Sequence, residues 1–214
     1  MKKGCILCLL ISVISLPLIA QNIIYSNLKE LLAQHGDTTA VLRVEKRSRN
    51  QIVLTGGADY RITAGDDESM CRRLKKRCFA VRDEKGDLYL NCRKLRYKKL
   101  RFGAWYAPAV QLGKNIYFCA MPLGSVIGGN FVEEDDVKLG GNIGDALAAS
   151  SLVTKRVCYE LNGETGKVDF LGKDKMLQLL ENYPELKQAY LKDDSQEAKH
   201  TFKYLLELQN NQKK

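Results

Sequence analysis

The stretch VCYELNGETGKVDF, residues 157–170, decides the fold class because it contains the clearest hairpin in the chain. Val157, Tyr159 and Leu161 alternate along its first half, which is the two-residue period of a half-buried strand. Residues 162–166 are rich in Asn, Gly and Thr, and apolar residues alternate again after them. The stretch therefore predicts two antiparallel strands joined by a tight turn.

Upstream of this hairpin the chain repeats the same pattern of short strands between turns. Turn residues at 83–86 and 113–114 separate alternating apolar segments, and the N-terminal third contains strand-like segments around Val44, 52–54 and Ile62. Strands joined by short turns pair in an antiparallel manner. The sequence therefore predicts an α+β protein with an antiparallel β-rich core, either a meander or a half-barrel.

One change of phase interrupts the strand pattern. Leu95 and Tyr97 alternate, whereas Leu100 and Phe102 continue one residue out of phase. We interpret this shift as a β-bulge or bend near residues 98–99.

Helical periodicity is found before and after the strands. Ser26 is the expected N-cap of a short N-terminal helix that Gly36 ends. From Lys173 onward, apolar residues recur at three- and four-residue steps, and Pro184 is expected to kink or restart this helix. An Asp-x-x-Glu capping box at 194–197 predicts the start of a last helix. We therefore expect an N-terminal helix and a C-terminal helical pair.

The first twenty residues have the features of a cleavable signal peptide. Lys2 and Lys3 precede an apolar run over 4–19, and Ala20 offers a small residue for cleavage. The mature chain has no second apolar stretch of membrane-spanning length. We expect an exported protein that is periplasmic, outer-membrane-associated or extracellular.

Composition divides the chain into four parts. After the signal peptide at 1–20, residues 21–122 are expected to form the N-terminal helix and a β-rich region. Residues 123–151 are rich in Gly and Ala and are expected to form a mobile surface excursion. Residues 152–214 contain the hairpin and the helical pair, and are expected to fold as one domain with 21–122.

The cysteine content is consistent with an oxidising compartment. The chain has seven cysteines, of which two lie in the signal peptide. The mature chain keeps an odd number, so at least one thiol is unpaired within the chain. Cys71 and Cys78 are the candidate disulfide, provided that the chain reverses between them. No metal site is predicted, because close-spaced cysteine pairs are lacking and the chain has two histidines.

Several segments resemble a family of uncharacterised secreted proteins from bacteria of the Bacteroides group, filed as a domain of unknown function. The similarity is found at 91–97, at Cys158–Leu161, at 165–168 and at 179–186, and in the position of signal cleavage after Ala20. These motifs are turns and helix stripes, so the resemblance implies envelope or extracellular placement and no active site.

Positive charge is concentrated in residues 71–101, which contain thirteen basic and three acidic residues in a chain of net charge +9. Clustered cations create a local potential that attracts polyanions. The candidate anion-binding residues are Arg72, Arg73, Lys75, Lys76, Arg77, Arg93, Lys94, Arg96, Lys98, Lys99 and Arg101.

This basic segment has three interpretations. Alternating strands place basic residues on a solvent face, where edge lysines also discourage aggregation. Alternatively, the segment docks on an anionic glycan, lipopolysaccharide or membrane surface. Nucleic acid is disfavoured as a partner because the signal peptide predicts export.

The sequence predicts no catalytic residue and no cofactor. His35 and His200 have no recognisable nucleophile beside them, and the glycine pairs lack the ending of a phosphate-binding loop. We therefore expect a non-enzymatic binding or structural module of the envelope. The alternative is an envelope hydrolase, or another enzyme, with an unrecognised carboxylate-based site.

Overall fold

The computed structural model describes residues 21–39, 41–48, 50–52, 57–97, 100–120, 156–193 and 198–212. The predicted signal peptide at 1–20 and the Gly/Ala-rich segment at 123–151 lie outside these residues.

Twelve strands are present in the described residues, and most are three to seven residues long. They are β1 (Asn22–Tyr25), β2 (Asp37–Thr39), β3 (Arg43–Lys46), β4 (Tyr60–Thr63), β5 (Ala80–Arg82), β6 (Leu88–Asn91), β7 (Arg96–Tyr97), β8 (Leu100–Arg101), β9 (Tyr106–Leu112), β10 (Asn115–Ala120), β11 (Val157–Leu161) and β12 (Val168–Phe170).

A short helical stretch at residues 50–52 lies between β3 and β4. The longer helices lie between β1 and β2, between β4 and β5, and after β12. They are α1 (Leu28–Leu32), α2 (Glu68–Lys76), α3 (Lys173–Leu179), α4 (Pro184–Lys192) and α5 (Ala198–Gln212), and a 3₁₀ turn covers Cys92–Lys94.

Ten of these strands form one antiparallel sheet in the order β12-β11-β10-β9-β6-β5-β1-β2, with β4 joining β9 and β3 joining β4. The three hairpin turns expected at 83–86, 113–114 and 162–166 connect β5 to β6, β9 to β10 and β11 to β12. The predicted α+β class with an antiparallel core is therefore confirmed.

Alternation along each strand divides the buried side chains between two faces of the sheet. The face that carries Leu90, Phe118 and Tyr159 is covered by Leu31 of α1 and by Phe102, which follows β8. The Phe102 ring lies 4.8 Å from the Tyr159 ring and 5.4 Å from the Phe118 ring, centroid to centroid, both in edge-to-face geometry. We call this side of the sheet face one.

The opposite side, face two, is covered at both ends by helices. Leu74 of α2 packs on β1, β4, β5, β6 and β9, where it meets Ile62 and Tyr106. At the other end, α3 and α5 cover β9, β10 and β11 through a second cluster that includes Met176 and Leu205. The sheet is therefore sandwiched along much of its length, and α2 is separated from the C-terminal helices.

The C-terminal region contains three helices where the sequence predicts a pair. The helical run breaks after Leu179, and Pro184 restarts it at the first turn of α4. Proline suits this position because its missing N–H would have no intrahelical partner there. The expected capping box at 194–197 lies outside the described residues.

Residues 98–99, where a β-bulge or bend was expected, lie outside the described residues, and the strands on either side of them pair with each other. Arg96 pairs with Arg101 and Tyr97 pairs with Leu100 in an antiparallel manner. Directly paired residues share a face, which accounts for the change of phase between Tyr97 and Leu100 in the sequence.

Candidate anion-binding surface

The first part of the basic segment is a helix, where one interpretation of the sequence expected alternating strands. Asp67 is the N-cap of α2, and its carboxylate accepts a hydrogen bond of 2.9 Å from the Met70 N–H. This hydrogen bond lowers the pKa of the Asp67 carboxyl. Asp67 and Glu68 occupy the N-terminal end of α2, and its basic residues lie in the C-terminal half. Both placements are favourable in the field of the helix dipole.

Buried polar side chains of the sheet hold the C-terminal end of α2. The Leu74 carbonyl accepts hydrogen bonds from Asn91 Nδ2 at 3.1 Å and from the Tyr106 hydroxyl at 2.8 Å. Asn91 Nδ2 also donates to the Cys78 carbonyl at 2.9 Å. These bonds satisfy carbonyls that a helix end leaves unpaired, and they fix the orientation of α2 on face two.

Because Leu74 is held against the sheet, the basic side chains of α2 point toward solvent. Four of them, together with Ser69, line an open surface depression of about 490 Å³. The lining residues follow the three- and four-residue steps of one helix side: Ser69, Arg72, Arg73, Lys76 and Arg77. We call this set, with Lys75, the α2 basic surface.

Most of this positive charge has no counter-charge in the part of the chain that the structure describes. Arg73 forms an ion pair with Asp37 of β2 and is half-buried. Arg72, Lys75, Lys76 and Arg77 are exposed and form no ion pair with another described residue. The α2 basic surface is therefore a cluster of solvated cations on a rigidly held helix.

The other described basic residues of segment 71–101 do not lie on one continuous face of a strand. Arg93 and Lys94 are exposed in the 3₁₀ turn after β6, and Arg96 and Arg101 are exposed on the β7–β8 hairpin. That hairpin is flanked by Leu95 and Phe102, which pack on face one, opposite α2. Lys98 and Lys99 lie outside the described residues.

The candidate disulfide between Cys71 and Cys78 is not formed. Both are free thiols, because α2 runs between them instead of the reversal that a short loop would need. The helical stretch from Cys71 to Lys76 alone corresponds to a rise of roughly 8 Å, which exceeds the usual Cα separation of a disulfide. The bridge joins Cys119 of β10 to Cys158 of β11, which are directly paired across the two strands with a Cα separation of 4.2 Å.

Other ionisable groups form local structural contacts. Lys175 Nζ lies 2.7 Å from Asp169 Oδ2 and 3.5 Å from Glu160 Oε2, so it links α3 to the β11–β12 hairpin. His200 Nδ1 lies 2.9 Å from Asp193 Oδ2 and connects α5 to the end of α4. Among the described residues, no group of three or more His, Cys, Asp or Glu side chains is arranged to hold a metal ion.

None of the described helices combines the length and apolar character that crossing a membrane requires.

The sequence does contain a local signal for α2. Met70, Leu74 and Cys78 recur at four-residue steps behind Asp67, a residue typical of an N-cap. Five of the other residues between Asp67 and Cys78 are basic, so the apolar stripe is narrow and the mean hydropathy of the segment is low.

A protein-family model described as a family of unknown function (DUF6563) matches residues 23–212. Searches among curated proteins and among solved structures found no match.

Proposed function

The chain belongs to the DUF6563 family, and since that family is described only as being of unknown function, we propose a role from the geometry of the chain itself. The protein is an exported, non-enzymatic binding module that docks on an anionic surface through the α2 basic surface. The partner class is an anionic glycan, lipopolysaccharide or an anionic membrane face.

The observation that supports this role is the convergence of guanidinium and ammonium groups around one depression. Arg72, Arg73, Lys76 and Arg77 all line it. Guanidinium groups bind carboxylate and phosphate oxygens through two parallel hydrogen bonds, and several such groups together favour a polyanion over a single ion. A depression of about 490 Å³ is large enough for a charged head group or a sugar residue.

The anchoring of α2 also supports docking. Asn91 and Tyr106 hold the helix end through hydrogen bonds to the Leu74 carbonyl. The backbone that carries the basic side chains is therefore fixed in position before a ligand binds. A preorganised surface loses less conformational entropy on binding than a flexible basic tail.

Export is part of the proposal and has separate support. The N-terminal residues have the pattern of a signal peptide. The Cys119–Cys158 bridge suits an oxidising compartment, because disulfides persist outside the cytosol.

The experiment measures retention of the chain from residue 21 onward on heparin and on vesicles containing anionic lipid, across a salt gradient. One variant changes Arg72, Lys75, Lys76 and Arg77 to Gln. A matched variant changes Arg93, Lys94, Arg96 and Arg101 to Gln, and so removes equal charge from the 3₁₀ turn and the β7–β8 hairpin. We expect the α2 variant to lose at least tenfold in affinity, with a clearly shallower salt dependence, and the matched variant to stay within about threefold of the unmodified chain.

Equal losses in the two variants would show that net charge alone drives retention, and would overturn the assignment to the α2 basic surface. Retention of the unmodified chain no stronger than that of an unrelated protein of equal net charge would overturn anionic docking altogether.

A further inference from the structure

The chain has one tryptophan, and its backbone adopts an unusual conformation. Trp105 has a φ angle of +77°. Side chains as large as indole rarely occupy this region, and such residues cluster at functional sites where the surrounding structure enforces them. Here the Ala104 carbonyl accepts from Ala58 N–H at 2.9 Å, and the Trp105 carbonyl accepts from Cys92 N–H at 2.9 Å.

Two arginines of the β3–β4 hairpin lie over the Trp105 ring. The guanidinium carbon of Arg47, which directly follows β3, is 5.3 Å from the ring centroid, and that of Arg61 on β4 is 5.5 Å away. The Arg47 N–H donates to the Asp59 carbonyl, so Arg47 lies opposite Asp59, two residues before Arg61. By alternation, both arginines project from the same face of this hairpin.

The two arginines differ in what their guanidinium groups contact. Arg47 is buried, and its side chain donates to the Ala58 carbonyl at 2.7 Å and to the Gln51 carbonyl at 3.0 Å. Arg61 is exposed, and its guanidinium has no hydrogen bond or ion pair to any other described residue, even though Glu45 is directly opposite on β3. Arg61 thus offers its N–H donors to solvent beside a partly exposed indole.

A third arginine contacts the same hairpin, but an ion pair with Asp59 balances its charge. Arg156, which precedes β11, forms a two-pronged ion pair with Asp59 and is largely buried. Ile62, the neighbour of Arg61 in β4, packs beneath α2. Arg61 and Trp105 therefore lie on the opposite side of β4 from α2, and this cluster is distinct from the α2 basic surface.

We propose that Arg61 and Trp105 form a binding site for the oxyanion of a small ligand, a carboxylate or a phosphate. The Arg61 guanidinium binds the oxyanion through its paired N–H groups, which match the spacing of carboxylate and phosphate oxygens. The indole forms the apolar wall of the site. Arg47 holds the ring in place by stacking on it while its own donors are occupied by backbone carbonyls.

Because Trp105 is the only tryptophan in the chain, its fluorescence reports on this site alone. The experiment titrates the chain from residue 21 onward with glucuronate, glucose 6-phosphate and glucose, which share a sugar ring and differ in the anionic group. We expect a saturable change in emission with one or both charged sugars and no saturable change with glucose.

Three variants test the residue assignment. Arg61→Gln should weaken the apparent affinity at least tenfold, and Arg61→Lys should weaken it severalfold because the charge remains and the planar fork is lost. Lys46→Gln removes an equal charge from the adjacent strand, on the other face of the hairpin, and should leave the affinity within twofold. The four-residue α2 variant should also bind normally, which separates this site from the docking surface.

The proposal is overturned if neither charged sugar gives a saturable change, or if Arg61→Gln binds as well as the unmodified chain. An unfolding midpoint measured for each variant identifies any loss that arises from instability. If Arg61→Gln is unstable, the comparison of Arg61→Lys with Lys46→Gln decides the question.

Discussion

The peptide that joins Ala104 to Trp105 leaves little room for its neighbours. Gly57 has a φ angle of +84°, and a Cβ atom added there would lie 2.3 Å from the Ala104 carbonyl oxygen. Gly86 has nearly the same φ angle, +86°, but nothing within 4 Å of such an atom. An alanine at Gly86 would therefore be penalised only by the backbone conformation, whereas an alanine at Gly57 would also overlap a backbone carbonyl.

We expect Gly86→Ala to lower the free energy of unfolding by about 1 kcal/mol, since only the left-handed conformation is penalised. Gly57→Ala should lower it by about 3 kcal/mol, because a backbone carbonyl must also move. Urea denaturation of the two variants measures the difference. Equal losses would mean that the chain near Ala104 relaxes freely.

The free thiols differ in burial and should differ in reactivity. Burial raises the pKa of Cys78 to about 11 and also raises the pKa of Cys92, whereas Cys71 is half-exposed. At pH 8 the two buried thiols stay protonated, and the thiolate is the reactive form. We expect iodoacetamide to alkylate Cys71 in the folded protein, and Cys78 and Cys92 only in urea, as read by peptide mass spectrometry. Early modification of Cys78 would contradict this burial.

The raised pKa of Cys78 also makes a small contribution to the pH dependence of stability. Its folded pKa lies above the ordinary thiol value, so the folded state favours the protonated form. The associated stability is complete below pH about 9 and is lost as the pH rises toward 11.

At the level of elements, one buried asparagine joins a helix to the sheet. The Asn91 amide donates to the Leu74 and Cys78 carbonyls and accepts from the Arg93 N–H at 3.1 Å. Asn91→Ala would leave the Cys78 carbonyl without this partner in buried surroundings where water cannot readily replace it, and would also remove the acceptor of the Arg93 N–H.

We therefore expect Asn91→Ala to reduce the free energy of unfolding by about 2–3 kcal/mol. Asn210→Ala, at an exposed position of α5, is the control and should change it by less than about 0.5 kcal/mol. Chemical denaturation provides both values. A small loss at Asn91 would indicate that Tyr106 alone holds the end of α2.

Hairpins were predictable from the sequence because each depends on residues close together in the chain. The turns at 83–86, 113–114 and 162–166 were located correctly. The strand expected at 52–54 was wrong in its first residue, because 50–52 are helical, and residues 53–54 lie outside the described part of the chain. The expected N-cap Ser26 was one residue early, since the Asn27 side chain accepts from the Glu30 N–H at 3.0 Å.

Elements that depend on distant partners were missed. β1 pairs with β5, far along the chain, and β2 pairs with β1 across the intervening α1. α2 is stabilised by burying Leu74 against strands that lie both before and after it. Short elements of this kind have weak local signals, and tertiary packing supplies the free energy that forms them.

For the whole molecule, the disulfide is the longest-range covalent constraint among the described residues. It joins two neighbouring strands across 39 residues of sequence and lies beneath the start of α5, where both sulfur atoms are within 3.5 Å of the Ala198 carbonyl oxygen. Closing a loop of this length restricts the unfolded chain and, in the chain-entropy model, stabilises the folded state by about 4 kcal/mol.

We expect reduction by dithiothreitol to lower the unfolding midpoint of the unmodified chain clearly. It should not change the midpoint of a Cys119→Ala, Cys158→Ala variant, which starts from a lower value. Cys71→Ala is the control and should keep the sensitivity to reduction. A peptide map under non-reducing conditions should contain the Cys119–Cys158 bridge, and a Cys71–Cys78 bridge would contradict the structure.

For the candidate site as well, the sequence predicted what depends on neighbouring residues and missed what depends on residues far apart in the chain. The sequence located the excess of basic residues but joined them into one segment, 71–101. Packing separates that segment, since α2 lies on face two and the β7–β8 hairpin lies against face one. The arrangement of Arg61, Trp105 and Arg47 was not foreseen, because no spacing in the sequence brings β3, β4 and the start of β9 together.

The sequence by itself determined the fold class, the main hairpins, the helical C-terminal region and the concentration of positive charge, because periodicity and turn chemistry are local properties. Only the tertiary structure decided which cysteines are bonded, which cations share a surface and which side chains surround Trp105. Those outcomes depend on strand order and on the face of the sheet that each element covers. Strand order in turn depends on packing between residues far apart in the chain, to which local patterns are insensitive.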